Sequence, residues 1–190
     1  VGKIRRIAIL EFVGRCQWTV EQALLRLIGS TQPNVSSLIN KLKDEGFLRT
    51  ANVTGKPYSK IIMLTSQGID ALGAHGLEDL NLISFSKIIK SNQLSHDIMA
   101  QMIAAQAIRK NPSIKFAFDH DLRACNLYKV PDLVLERSAI EIQNSTLQEP
   151  DVRLALAKSA LAIGNRKDTY LTGTTFFARS EATRIKFVKI

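Results

Sequence analysis

Residues 129–145 read KVPDLVLERSAIEIQNS, two short apolar runs joined by a charged segment. Val130 to Glu136 is apolar and β-branched, and Arg137-Ser138 makes the turn. Ala139 to Gln143 then alternates Ile140 and Ile142 against Glu141 and Gln143. Successive side chains leave a strand on opposite faces, so this alternation predicts a β-hairpin with Glu141 and Gln143 on one face and the isoleucines on the other. Asp132, near the start of the first strand, comes within reach of Glu141 if the strands pair antiparallel about that turn. Two carboxylates and an amide oxygen on one face form a hard-oxygen site suited to Mg²⁺ or Mn²⁺. The same pattern also describes an ordinary hairpin with a polar outer face.

The flanking segments supply a sheet and helices around this hairpin. Ser91-Asn92 begin a helix with Leu94, Ile98, Met102, Ala105 and Ile108 inward. Arg109-Lys110 sit at its C-terminal end, where cations suit the helix dipole, and Asn111-Pro112 stop it. His96 falls in the first turn of that helix, where a histidine is usually a cap partner or a surface residue. Ser113 to Phe118 is a strand, followed by Asp119-His120-Asp121-Leu122-Arg123. Beyond the hairpin, Asp151 to Ile163 has a helical stripe, Thr169 to Thr175 reads as a strand, and Thr183 to Ile190 as a basic strand or helix.

The first 75 residues follow a different pattern. Ile4, Ile7, Ala8 and Leu10 repeat at helical spacing, and Gly14 closes that helix. Thr19 caps a second helix with Gln22 at the capping-box position, and Gly29 ends it. Ser30-Thr31 cap a third, with Pro33 in its first turn, Val35, Leu38, Ile39 and Leu42 inward, and Gly46 as its stop. Its outward face carries Gln32, Asn34, Ser36, Ser37, Asn40, Lys41 and Lys43. Phe47 to Thr50 and Tyr58 to Thr65 form a hairpin with the basic tip Thr54-Gly55-Lys56-Pro57, and Ser66 caps a further short helix. Residues 76–92 read as a linker or connecting helix.

Length and charge bound the function. The 190 residues suffice for one medium domain or two small ones. A net charge of +9 favours a polyanionic partner, nucleic acid first and an anionic membrane surface second. No apolar run reaches membrane-span length, so the expectation is a cytoplasmic protein without a transmembrane helix. Cys16 and Cys125 lie far apart and read as free thiols of a reducing compartment, and His75, His96 and His120 are too scattered for a structural zinc site. The chain begins with Val1 rather than Met, so residues before it are expected to be missing. Its basic, apolar start lacks a small-residue cleavage site and reads as a helix rather than a signal peptide.

TQPNVSSLINKLKDEGFLRT, residues 31–50, followed by GKPYSKIIMLTSQG, is similar to the MarR-like and related winged-helix DNA-binding modules. The resemblance implies that the third helix enters the major groove while the wing touches backbone. Gln32, Asn34, Ser36, Ser37 and Asn40 are then the residues facing base edges, and Lys41, Lys43, Lys56 and Lys60 those facing phosphates. A winged helix used for protein contacts is the competing reading.

Pro131-Asp132 followed by Glu141-x-Gln143 resembles the PD-(D/E)xK signature of the restriction-endonuclease-like nucleases. The resemblance implies that Asp132 and Glu141 hold the metal and that Gln143, standing where the pattern has Lys, helps orient the ion or the water. Asp121, or Asp119, fills the place of an additional upstream acid. Lys115, Arg123, Lys129, Lys158 and Arg166 are candidates to hold phosphates or to replace the missing Lys. The implied architecture is α+β or α/β: a winged helix at 1–75, a connection at 76–92 and a restriction-endonuclease-like domain at 93–190.

The whole, through SHDIM, the acidic segment before KVPD, and PDLVL…EIQNS, resembles the plasmid replication-relaxation and mobilisation proteins, the MobC-type relaxases. That resemblance implies a metal-dependent endonuclease with catalytic Asp121, Asp132, Glu141 and Gln143, nicking double-stranded plasmid DNA at an origin of transfer. Its implied partners are DNA and other mobilisation proteins, and palindromic sites suit a homodimer. Tyr58, Tyr128 and Tyr170 stand alone, which argues against a covalent phosphotyrosine. The alternative is a winged-helix regulator or accessory protein whose nuclease fold has degenerated.

Overall fold

The computed structural model describes residues 2–53, 60–77, 80, 84–90, 94–123, 130–143 and 173–178. The fold is mixed α and β. Contacts divide the chain into two compact units: Val1–Leu94 with Gln101–Pro112, and Ser95–Ala100 with Ser113–Ile190. Residues 101–112, expected in the second domain, group with the first unit. No helix among the described residues is long and apolar enough to cross a membrane.

In the first unit, α1 (Gly2–Cys16) buries Ile9, Leu10, Phe12, Val13 and Cys16. It does not close at Gly14 as expected. Gly14 stays helical, and a Cβ there would stand 2.8 Å from Leu80 Cδ1. The helix ends two residues later, and Gln17 takes φ 65°. Thr19 is likewise no cap. Its backbone pairs with Ile62 through two 2.8 Å hydrogen bonds, and its hydroxyl donates to Gln101 Oε1 at 2.8 Å. Gln101 Nε2 in turn donates to the Trp18 carbonyl at 2.8 Å. Thr19 and Gln101 are both buried, so this network satisfies polar groups that have no access to water.

Val20 is the N-cap of α2 (Glu21–Ile28), which ends at Gly29 in the left-handed conformation. Helix α3 (Gln32–Asp44) follows, with Pro33 in its first turn and Val35, Ile39 and Leu42 buried. Gly46, at φ 81°, turns the chain into β1 (Leu48–Asn52). That strand pairs antiparallel with β2 (Lys60–Leu64), from Leu48↔Leu64 to Asn52↔Lys60. The hairpin tip, including Lys56, lies outside the described residues. Thr65, rather than Ser66, caps α4 (Ser66–Gly73), accepting from the Gly68 amide at 3.1 Å. Short α5 (Phe85–Lys90) lies within the span read as linker, and α6 (Leu94–Lys110) follows it.

The second unit is built on a four-stranded sheet in the order β3-β4-β5-β6. Strand β3 (Phe116–Phe118) leads into the short helix α7 (Asp119–Leu122). Strands β4 (Leu133–Leu135) and β5 (Ser138–Gln143) form the expected hairpin, with the turn one residue earlier, at Glu136-Arg137. Glu136 takes φ 53° there. β3, β4 and β5 run antiparallel in succession, and β6 (Gly173–Ala178) lies parallel to β5. A parallel neighbour needs a crossover connection. Residues 144–172, which carry the helix expected at 151–163, lie outside the described residues, as does the expected terminal element at 183–190.

Candidate functional site

Each unit holds one candidate site. The first is the solvent face of α3. Residues three and four apart lie on one side of a helix, so burial of Val35, Ile39 and Leu42 turns the opposite side outward. Gln32, Asn34, Ser37, Asn40 and Lys41 are exposed on it. Asp44, an acid not expected on that face, is exposed as well. Ser36 stands elsewhere: its hydroxyl donates to the Glu21 carboxylate on α2. Lys43 is half-buried.

Lys41 flanks a cleft of about 600 Å³ between α1, α3 and the end of α4, shared with Arg6, Leu10, Phe47 and His75. Arg6 is ion-paired with Glu45. Lys60 is exposed at the start of β2, opposite Asn52, and Arg49 is exposed on β1. Arg49 was missed in the sequence, although strand alternation with buried Leu48 places it outward.

The second site is the acidic hairpin. The pairing of β4 with β5 ends at Leu133↔Ile140, and extending that register by one residue would set Asp132 opposite Glu141. Directly opposed residues share a face of the sheet. Asp132 Oδ2 accepts from the Ile142 amide at 2.7 Å, which fixes the carboxylate against β5. Glu141 is 5% exposed, and Ile140 and Ile142 are buried as well. The alternation in β5 therefore does not separate a wet face from a dry one, and the expected polar outer face is a buried one at Glu141. Gln143 ends β5 opposite Ala178, and its side chain lies outside the described residues.

A residue that sequence spacing could not place completes this site. His96, in the first turn of α6, donates from Nε2 to the same Asp132 Oδ2 at 2.9 Å, while its Nδ1 lies 3.7 Å from Asp97 Oδ1. The hydrogen bond to Asp132, then the nearby Asp97 carboxylate, pushes the imidazole up to about 10 against the opposing effect of burial. The only hint in the sequence was the string SHDIM.

Asp121 is engaged by the backbone at the start of α7: its Oδ2 accepts from the Phe118 amide at 3.0 Å. Asp119 holds Arg123 at 2.7 Å. The neighbouring His120, helped by Arg123, keeps the Asp119 carboxyl down at about 2. Lys115 is exposed, and Lys129, Lys158 and Arg166 lie outside the described residues.

Among the described residues no group of three or more His, Cys, Asp or Glu side chains is close enough to hold a metal ion. Mg²⁺ keeps several of its waters and is usually bound through one or two carboxylates together with substrate phosphates. Asp132 and Glu141 are two carboxylates, the number that mode uses, and Glu141 is buried with an interaction of its own. Both hydrogen bonds to Asp132 fall on Oδ2, and among the described residues Oδ1 takes none. No family model, curated protein or solved structure matches the chain.

Proposed function

We propose that the chain is a double-stranded-DNA-binding protein whose first unit is a winged helix that lays α3 in the major groove. The observation that carries this reading is the exposed row Gln32, Asn34, Ser37 and Asn40 on a helix braced by α2 and followed by a β-hairpin. Amides and hydroxyls of this kind pair with base edges, and asparagine pairs with adenine in particular. Lys60 and Lys41 flank the row as phosphate contacts, and the net charge of +9 supplies sequence-independent attraction. Ser36 leaves the set of base-facing residues because Glu21 holds it. The test is fluorescence anisotropy of a labelled duplex across a salt series. Binding that weakens steeply with salt supports the reading, and absence of duplex binding at low salt removes it.

A second reading is favoured by the hairpin register that, extended by one residue, would set Asp132 opposite Glu141. In it the second unit is a restriction-endonuclease-like domain. A helix, three antiparallel strands and a fourth strand parallel to the third support that assignment. Asp132 and Glu141 would hold Mg²⁺ or Mn²⁺, and the substrate would be plasmid DNA nicked at an origin of transfer. The ion, when bound, activates water and neutralises charge at phosphorus. Nicking of supercoiled plasmid in Mg²⁺ or Mn²⁺, abolished by EDTA and by Asp132→Ala and Glu141→Ala, is the expected result. Tight binding with no nicking in any metal would leave a DNA-binding regulator or accessory protein with a degenerate nuclease fold.

A further inference from the structure

We propose that His96 is a positioning residue for Asp132: it anchors the carboxylate by Oδ2 so that Oδ1 is presented to a divalent cation. The inference rests on the metal-site reading of Asp132 and Glu141. It begins from the two donors on one oxygen. The Ile142 amide reaches Oδ2 at 2.7 Å and His96 Nε2 reaches it at 2.9 Å. A carboxylate held by a single donor can still swing about its terminal torsion, which is broad and roughly two-fold. A second donor, arriving from a different element, defines which oxygen faces inward and which outward.

The anchor itself is well placed. His96 projects from the first turn of α6, whose next buried positions in the same unit are Ile98, 1% exposed, and Ala100, 3% exposed. The imidazole is flanked on its other nitrogen by Asp97. A neutral imidazole with its proton on Nε2 and an imidazolium both donate from that atom, so the anchoring role does not depend on the charge of the ring. Removing a partner that orients a metal ligand typically costs about 10- to 100-fold in metal affinity or activity.

The test is isothermal titration of the full chain with Mn²⁺, comparing the unmodified protein with His96→Ala, His96→Gln and Asp132→Ala. Thermal unfolding in EDTA checks the fold of each. The expected result is a loss of about 10- to 100-fold in Mn²⁺ affinity for His96→Ala. His96→Gln, whose amide can donate to the same oxygen, should recover most of that loss. Asp132→Ala should bind weakest.

If His96→Ala binds Mn²⁺ as the unmodified chain does while Asp132→Ala does not, the positioning role is wrong and the metal site stands. Tighter binding by His96→Ala would also overturn the proposal, because it would mean that the ring occupies the place of the ion. If His96→Ala does not fold, His96→Gln decides the matter, and weak binding by that variant in folded form rejects the hydrogen-bond account. An unmodified chain that binds no Mn²⁺ removes the metal site and the proposal together.

Discussion

His96 Nε2 and Asp132 Oδ2 lie 2.9 Å apart, a contact between the first turn of α6 and the residue that leads into β4. The contact has a pH signature in metal-free protein. His96 is raised from 6.5 to about 10 by Asp132 and then Asp97, the two anions that face it. A folded-state value above the unfolded one means that the stabilisation is complete below 6.5 and is lost as pH rises through about 10. His96→Gln keeps a donor but no charge. Its melting temperature in EDTA should fall furthest below that of the unmodified chain at the low end of this window, and the gap should close above it. A gap that stays constant across the window would contradict the assignment.

The buried polar network of the first unit makes a second prediction. Gln101→Leu keeps the volume but leaves the Thr19 hydroxyl and the Trp18 carbonyl without their partner. An unsatisfied buried group costs about 1–3 kcal/mol. Urea unfolding should show a lowered midpoint of corresponding size, and an unchanged midpoint would show that the network contributes nothing.

Gly68 is the third test. It is a helical glycine in α4, and a Cβ there would stand 2.3 Å from the Phe47 carbonyl oxygen, which is backbone and cannot rotate away. Gly68→Ala must therefore separate α4 from the segment entering β1. Overpacking of this kind costs about 1–3 kcal/mol. Thermal or urea unfolding reads it directly, and a variant as stable as the unmodified chain would mean that the helix is not so close.

Lys60 bears on how DNA is held. If it meets a phosphate, Lys60→Ala weakens binding uniformly across sequences and reduces the salt slope by about 1. A changed base preference with an unchanged slope would assign Lys60 to base reading instead.

Much of the local structure was legible in the sequence because its causes are local. Gly29 and Gly46 mark the ends of α2 and α3 through positive φ, and the apolar spacing of Val35, Ile39 and Leu42 marks the buried face of α3. The β4–β5 hairpin that carries Asp132 and Glu141 followed from strand alternation and a tight turn. What failed to show was tertiary. Thr19 reads as a cap by local rules, yet Gln101 claims its hydroxyl. Gly14 reads as a helix stop, yet α1 runs through it to Cys16. Ser36 reads as outward, yet Glu21 holds it. His96 has no periodicity that points to Asp132. Glu141 was expected on an outer face because alternation records polarity, whereas burial depends on what covers the sheet.

The most direct test of DNA reading by α3 is selection of binding sites from a pool of random duplexes, run with the unmodified chain, Asn40→Ala and Ser36→Ala. If α3 reads bases, the unmodified chain enriches one motif. Asn40→Ala should lose discrimination at one position, worth roughly 1–3 kcal/mol, while Ser36→Ala keeps the motif. Failure to enrich any motif, or the same motif from Asn40→Ala at undiminished strength, would contradict that role for α3.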